Sequence, residues 1–481
     1  MFWRGVLGYL PVNIVQGVVG LLSIVIFTRI LSPTDYGVYA LAFSAMSLAQ
    51  TGLFVWLEAS MARFYVRELE AGRLAGHFAT LYRCYAVLSL AFPAIAAGAV
   101  WLWPMPNALR LAVIAGLATT PVRSLVKLSQ ERRRAAGDVA GAARLDVIQT
   151  SVGFLAGAGL AWLGLGGSSP LLGTGIVAGV LLVWVLPSDL PRARKGRFEP
   201  ARARMYAAYG LPVAMSLILA LVLATTDRFL IAAYLNETSV GVYHAGYSLA
   251  NRTLDVVFIW LGMAGGPASI AALERGGRPA LHDVAREQSA FMIALTLPAA
   301  VGLALVAKPL ADIMIGPGLR EGAAQVTPWI AASAFFAGIN THYLHTAFTL
   351  ARHTGRLMLA IAIPAGLNLV LNLVLVPRFG LQGALWATLA SYAVGVGVSY
   401  ALGRRSMALP VPWNAIARTL VAAGGMTLAV HFAPSVGGVV ELFGKALLGV
   451  LAYAILAYAF DICGARTHSA RLVQALRARA A

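Results

Sequence analysis

Charge is what this chain of 481 residues has least of: Asp, Glu, Lys and Arg make up 12% of it, against 59% hydrophobic residues. A soluble domain of this length needs far more polar surface to cover its core, so a soluble globular fold is excluded. Cysteine is nearly absent, with only Cys84 and Cys463, and no disulfide framework follows. There is no G-x-x-x-x-G-K-[ST] run, which excludes ATP hydrolysis through a P-loop, and no G-x-S-x-G elbow or H-E-x-x-H helix. Long polar gaps are missing too. The gaps Ser32 to Asp35, Gly164 to Pro170 and Asn236 to Ser239 are too short for an extracytoplasmic active site, which argues against a polytopic glycan polymerase or ligase.

What is present is apolar sequence, with a mean hydropathy of +0.77. Runs of about 20 residues, enough to cross roughly 30 Å of hydrocarbon as helix, recur from end to end. Fourteen are readable, starting near residues 5, 36, 79, 107, 144, 170, 206, 239, 287, 325, 356, 379, 414 and 438. Backbone groups in lipid must be satisfied within the segment, so these are helices, and the alternating pattern of a β-barrel is not seen. The fold class is all-α integral membrane. Gly5 to Phe27 is too long for a cleaved signal core and reads as a retained span.

The net charge of +18 would suit nucleic acid, but its placement does not. Most of the cations fall in the even gaps and at the termini, including Arg132 to Arg134, the cluster from Arg192 to Arg204, Arg404, Arg405 and the tail from Arg466 to Arg479. The odd gaps and their margins hold Arg29, Arg110, Arg228, Lys308, Arg320, Arg378 and Lys445. This asymmetry follows the positive-inside rule and sets both termini in the cytoplasm. No basic, aromatic-studded soluble face for nucleic acid exists.

The chain repeats itself. LSPTDYGVYALAFS (Leu31 to Ser44) and LNETSVGVYHAGYS (Leu235 to Ser248) lie 204 residues apart and share six of fourteen positions. The copies begin at spans one and seven, an even number apart, so the repeats run parallel about an axis along the membrane normal. The expected organisation is an N-lobe of spans one to six with a basic linker (1–200), a C-lobe of spans seven to twelve (201–410), and two added helices with a basic tail (411–481). Parallel bundles facing each other suit transport.

The eighth span carries the strongest constellation. His244, Ser248, Arg252 and Asp255 are spaced by four, four and three, one face of a helix, with Asn251 at its edge. Arg252 sits about twelve residues into the span, roughly 18 Å below the outer surface. A cation there costs about 3 kcal/mol on insertion scales, so it faces a partner or a watery cavity. One reading is an Arg252–Asp255 ion pair that fixes packing. The other is a cavity cation for an anionic headgroup, since guanidinium matches phosphate in a bidentate fork. The equivalent positions of the first copy are Ala40, Ser44, Leu48 and Thr51.

Asn340, His342 and His345 in the tenth span read as cavity lining or interhelical hydrogen bonding; a metal site is disfavoured, with no Cys or acid nearby. Asp227 and Arg228 close the seventh span as a headgroup anchor or an outer gate. Arg123 and Lys127 are an i, i+4 pair near the inner end of span four, an anchor or a site of substrate entrance. No cofactor is expected, and coupling to Na+ or H+ is left open.

FTRILSPTDYGVYALAFS (Phe27 to Ser44), TTDRFLIAAYLNETSVGVYHAGYSLAN (Thr225 to Asn251) and LNLVLNLVLVPRFGLQGALWATLASY (Leu367 to Tyr392) resemble segments of Wzx-type polysaccharide-biosynthesis flippases. The resemblance implies the fold of the multidrug/oligosaccharidyl-lipid/polysaccharide exporter superfamily, two six-helix lobes in a V around a cavity, with two further helices. The implied activity is movement of undecaprenyl-pyrophosphate-linked oligosaccharide across a bacterial inner membrane for capsule, O-antigen or exopolysaccharide assembly. Partners would be the lipid-linked glycan, membrane lipid and polymerase or export machinery. Related lipid II flippases carry arginines within the first helix, whereas nothing charged lies between Arg4 and Arg29 here. Multidrug exporters often place an acid in that helix, and this one has none, so cation-coupled drug export is the weaker alternative.

Overall fold

The computed structural model describes residues 2–467, with side chains from residue 12 onward. The Arg4 side chain and the end of the basic tail, Arg471 to Arg479, lie outside the described residues. The described chain is helical throughout: α1 (Phe2–Ile30), α2 (Pro33–Leu53), α3 (Val55–Glu70), α4 (Leu74–Leu102), α5 (Asn107–Ala135), α6 (Val139–Trp162), α7 (Ser169–Arg194), α8 (Pro200–Tyr234), α9 (Glu237–Leu305), α10 (Ala307–Met314), α11 (Pro317–Ile339), α12 (Thr346–Leu350), α13 (Thr354–Arg404), α14 (Trp413–His431) and α15 (Gly438–Ala459).

Nine of the described helices are long and apolar enough to cross a membrane, and α2 with α3, bent by 45°, forms a tenth span. The bend falls at Phe54, where the Trp56 indole donates to the Leu53 carbonyl at 3.0 Å and so satisfies a group at the break. At 1.5 Å per residue, α9 with its 69 residues would be about 100 Å long, far more than a bilayer. It turns back at Gly277 (φ 67°), and α13 turns back at Gly380 (φ 57°); each is two spans joined by a left-handed residue that glycine adopts without strain. With α11 and α14, of membrane length but less apolar, these give the fourteen spans read from the sequence. Several begin a few residues before their apolar runs, because polar first turns are helical too.

Large apolar side chains face outward along the helices, Leu90 at 82% exposed and Val440 at 73% among them, as a hydrocarbon environment demands. The protein is a multi-pass membrane protein. It divides into two compact units, 1–244 and 245–481, with the boundary inside α9. In the first unit, α6 lies along α7, α5 packs on α2, α3 and α7, and α8 packs on α2 and α3. In the second, α11 packs on α13 and α14 on α15. The stretch Ser188 to Arg204, read as a linker, is mostly helix: α7 runs to Arg194 and α8 starts at Pro200.

The repeat is visible as matched chemistry at two helix starts. The Ser32 hydroxyl accepts from the Asp35 N–H at 3.1 Å, and 204 residues later Asn236 Oδ1 accepts from the Ser239 N–H at 2.8 Å. Both caps satisfy a first-turn donor that has no partner within its own helix. The two starts also touch each other at equivalent positions, Thr34 Oγ1 lying 2.8 Å from Thr238 Oγ1. A residue meeting its own counterpart marks a local twofold relation. Gly37 lies so close to α9 that an added Cβ would fall 1.7 Å from the Glu237 carbonyl oxygen and 3.0 Å from the Gly241 nitrogen, and Gly241 is its repeat partner. Backbone cannot yield there as a side chain can. Gly37→Val should therefore destabilise the protein by about 1–3 kcal/mol, read as a lower melting temperature in detergent. Gly17→Ala, with nothing within 4 Å, serves as the neutral control.

Candidate functional site

Asn251 stands one turn before Asp255 on α9, and its Nδ2 donates to Asp255 Oδ2 at 2.6 Å. The acid is thereby engaged within its own helix. Arg252 is exposed, and among the described residues it makes no ion pair or hydrogen bond, although Asp255 is within electrostatic reach. The Arg252–Asp255 ion pair, one of the two readings of the sequence, is not formed; a primary amide four residues before a carboxylate is the better-placed partner. Ser248 is buried. His244, at the head of the stripe, lies among aromatic rings of α2, 5.4 Å from Tyr36 and 6.2 Å from Tyr39 between centroids.

The residues of the tenth span part company. After Ile339 the chain widens into a π-helical turn, Asn340–Leu344, with the His345 N–H donating to the Asn340 carbonyl at 2.8 Å. Such single-turn widenings re-aim side chains and recur at functional sites. His342 lies flat on Phe258 of α9, centroids 5.8 Å apart and planes 13° apart. A Cβ on Gly262 would stand 2.6 Å from the His342 Nδ1, so a larger residue there would have to displace the imidazole. His345 turns the other way, its Nε2 3.4 Å from Ser399 Oγ on α13. Asn340 also reaches α13, its amide donating to Ser399 Oγ at 3.0 Å and to the Gly395 carbonyl at 3.2 Å. His342 thus joins the α9 face that carries Asp255, while Asn340 and His345 do not.

Asp227 and Arg228 are both buried, at 0% and 6% exposed, so neither serves as a headgroup anchor at the surface. Tyr243 donates its hydroxyl hydrogen to Asp227 Oδ2 at 2.6 Å, and Arg228 Nη1 donates to Ser44 Oγ at 3.3 Å. Adjacent on the helix, they address different neighbours. Ser44 is the repeat counterpart of Ser248. Arg123 is half-buried with Nη1 2.7 Å from Met46 Sδ on α2, whereas Lys127 is exposed and within electrostatic reach of Glu58 on α3. The pair therefore splits between two helices.

A family model described as "Polysaccharide biosynthesis protein" matches residues 26–321, more than half of the chain. The chain belongs to the polysaccharide biosynthesis protein family. No curated protein matches it by sequence. Among solved structures, the lipid II flippase MurJ in an inward closed conformation is similar with a TM-score of 0.73 and 14% identity, over 94% of this chain and 98% of that one. An inward-facing multidrug resistance MATE family transporter of the MOP superfamily is similar with a TM-score of 0.64 and 14% identity, over 82% and 94%. A MOP superfamily transporter from Pyrococcus furiosus gives 0.55 and 14%, over 84% and 93%. At such identities the likeness establishes the fold, that of the MOP superfamily transporters.

This polysaccharide biosynthesis protein also carries buried ionic groups that sequence reading passed over. Glu68, at the end of α3, is 1% exposed and gathers Arg67 at 2.9 Å, Arg202 of α8 at 3.3 Å and Arg73 at 3.5 Å. Asp189 of α7 is fully buried, 2.9 Å from Arg132 of α5, and accepts from the Tyr82 hydroxyl of α4 at 2.5 Å. Arg132 and Arg202, counted above as topology signals, are thus also the clasps between helices at the basic end of this unit, while Arg192 reaches Asp189 within α7 at 3.8 Å. The available signal was an acid set inside each basic margin, Asp189 alone and Glu68 beside Glu70. Removing one partner of a buried pair leaves the other uncompensated, so Asp189→Leu should cost about 3–5 kcal/mol and the double change Arg132→Met, Asp189→Leu much less. Lys308→Ala, which breaks an exposed pair with Asp312, should cost under about 1 kcal/mol. Thermal unfolding in detergent distinguishes the three.

Proposed function

We propose that this protein is a flippase for undecaprenyl-pyrophosphate-linked oligosaccharide, moving the diphosphate-sugar headgroup across a bacterial inner membrane while the prenyl tail stays in lipid. It serves the assembly of a capsule, O-antigen or exopolysaccharide, changes no covalent bond, and works beside polymerase and export machinery. Both termini face the cytoplasm. Family membership and the transporter fold support the reading. The observation that carries it is Arg252, a cation in the middle of the eighth span whose neighbouring acid is already engaged by Asn251. A guanidinium so placed is free to take a phosphate in a bidentate fork. With Arg252, the residues of this reading that share its stretch of α9 or pack on it are Asn251, Asp255 and His342. Alternating access follows from halves 1–200 and 201–410 rocking about the repeat axis, with 411–481 appended.

The test is glycan export in a deletion strain complemented with variants present at wild-type levels in the membrane. Arg252→Ala should reduce export about tenfold to a hundredfold, the worth of hydrogen bonds to a charged group. Arg252→Lys should fall between, because it keeps the charge and loses the fork. Normal glycan in the alanine strain sinks the assignment. Accumulation of lipid-linked repeat units inside the deletion strain supports the flippase, while drug sensitivity with intact glycan favours small-molecule efflux instead.

A further inference from the structure

The second unit holds a cavity of about 860 Å³, toward the upper end of the range for small-molecule sites. Its walls are the second arm of α9, the latter part of α11, the second arm of α13, and α14. Met292, Leu297, Phe335, Phe336, Ile416 and Leu420 are typical of the lining, which is apolar along its whole length. On α14 it reaches from Trp413 to Thr427, so it is a slot of roughly 20 Å parallel to the helices. Leu420 and Trp413 are 54% and 70% exposed, and through that side the slot meets the bilayer.

One end differs from the rest. Tyr343, Tyr400 and Trp413 stand there, and the Tyr343 hydroxyl donates to the Pro410 carbonyl at 2.5 Å. The guanidinium of Arg404 lies 5.8 Å from the centre of the Tyr400 ring, and Arg405 beside it is exposed. Arg356 is held next to them, its Nη1 donating to the Arg405 carbonyl at 2.5 Å and to Ser406 Oγ at 2.9 Å. No Asp or Glu occurs anywhere from residue 322 to residue 440, so the helices that bring these cations together bring no acid with them. A dry slot of membrane length, cationic and aromatic at one end only, has the polarity of an amphiphile with an anionic head. Its position adds a reason for an occupant: α14 packs closely on α15, and the slot lies between it and the repeat-derived helices.

We infer that this slot binds an anionic diacyl phospholipid of the surrounding bilayer, acyl chains along α14 and phosphate at Arg404 and Arg405. The lipid cements the added helix pair to the rest of its unit. It is separate from the translocated headgroup and does not depend on the flippase reading.

The test is native mass spectrometry of the delipidated full-length protein offered equal amounts of phosphatidylglycerol and phosphatidylcholine. Phosphatidylglycerol should be retained about tenfold over phosphatidylcholine, the worth of one charge-assisted contact. Arg404→Ala with Arg405→Ala should bring the two lipids to near parity without lowering the melting temperature of the lipid-free protein. Ala332→Phe, which fills the slot rather than emptying a packed position, should reduce retention of both lipids. Equal retention of the two lipids by the wild type overturns the proposal, as does an undiminished preference in the arginine variant. Displacement of phosphatidylglycerol by an equimolar polyprenyl phosphate overturns the phospholipid assignment in favour of an isoprenoid chain.

Discussion

An α-helix leaves its first N–H groups without partners inside it, and a side-chain cap satisfies them. The meeting of α2 and α9 answers that constraint twice over. Ser32 and Asn236, repeat-related, cap the two first turns, and the tight approach at Gly37 lets both starts share one crowded corner. Thr34 against Thr238 shows how close to symmetric the corner is.

The two copies of the repeat share a scaffold and divide over chemistry. Ala40, Leu48 and Thr51 in the first correspond to His244, Arg252 and Asp255 in the second. The one shared polar position, Ser44 and Ser248, is buried in both. In the first copy Ser44 receives the Arg228 guanidinium, so that cation is tied into packing, whereas Arg252 is not. This difference separates a cation used for architecture from the one proposed to take the headgroup. The same contrast holds at the basic end, where Arg132 and Arg202 close on buried acids.

The spans were legible because hydrophobic length is a local property. The two arms of α9 and of α13 were legible in the same way, as separate runs starting near 239 and 287 and near 356 and 379, and the structure breaks each helix between them, at Gly277 and Gly380. The stripe on α9 was legible from its spacing, but the choice between ion pair and free cation rested on the rotamer of Asn251. The tenth span was legible only as a choice between cavity lining and interhelical hydrogen bonding, because the π-helical turn at Asn340–Leu344, which spacing does not reveal, sends His342 to α9 and His345 to α13. Glu68 and Asp189 were hidden among basic neighbours whose partners lie on other helices.

In the proposed function a lipid-linked glycan crosses while halves 1–200 and 201–410 rock about the repeat axis, which would carry Thr34 away from Thr238. This movement is tested most directly in vesicles reconstituted with the purified Thr34→Cys, Thr238→Cys variant and a polyprenyl-diphosphate-linked oligosaccharide, scored by access of an added glycosidase. The wild-type hydroxyls are 2.8 Å apart, which brings the paired cysteines within reach of a disulfide. The account predicts translocation by the reduced protein, arrest on oxidation, and recovery on reduction. Translocation that proceeds equally in both states, or no faster than in protein-free vesicles, would contradict it.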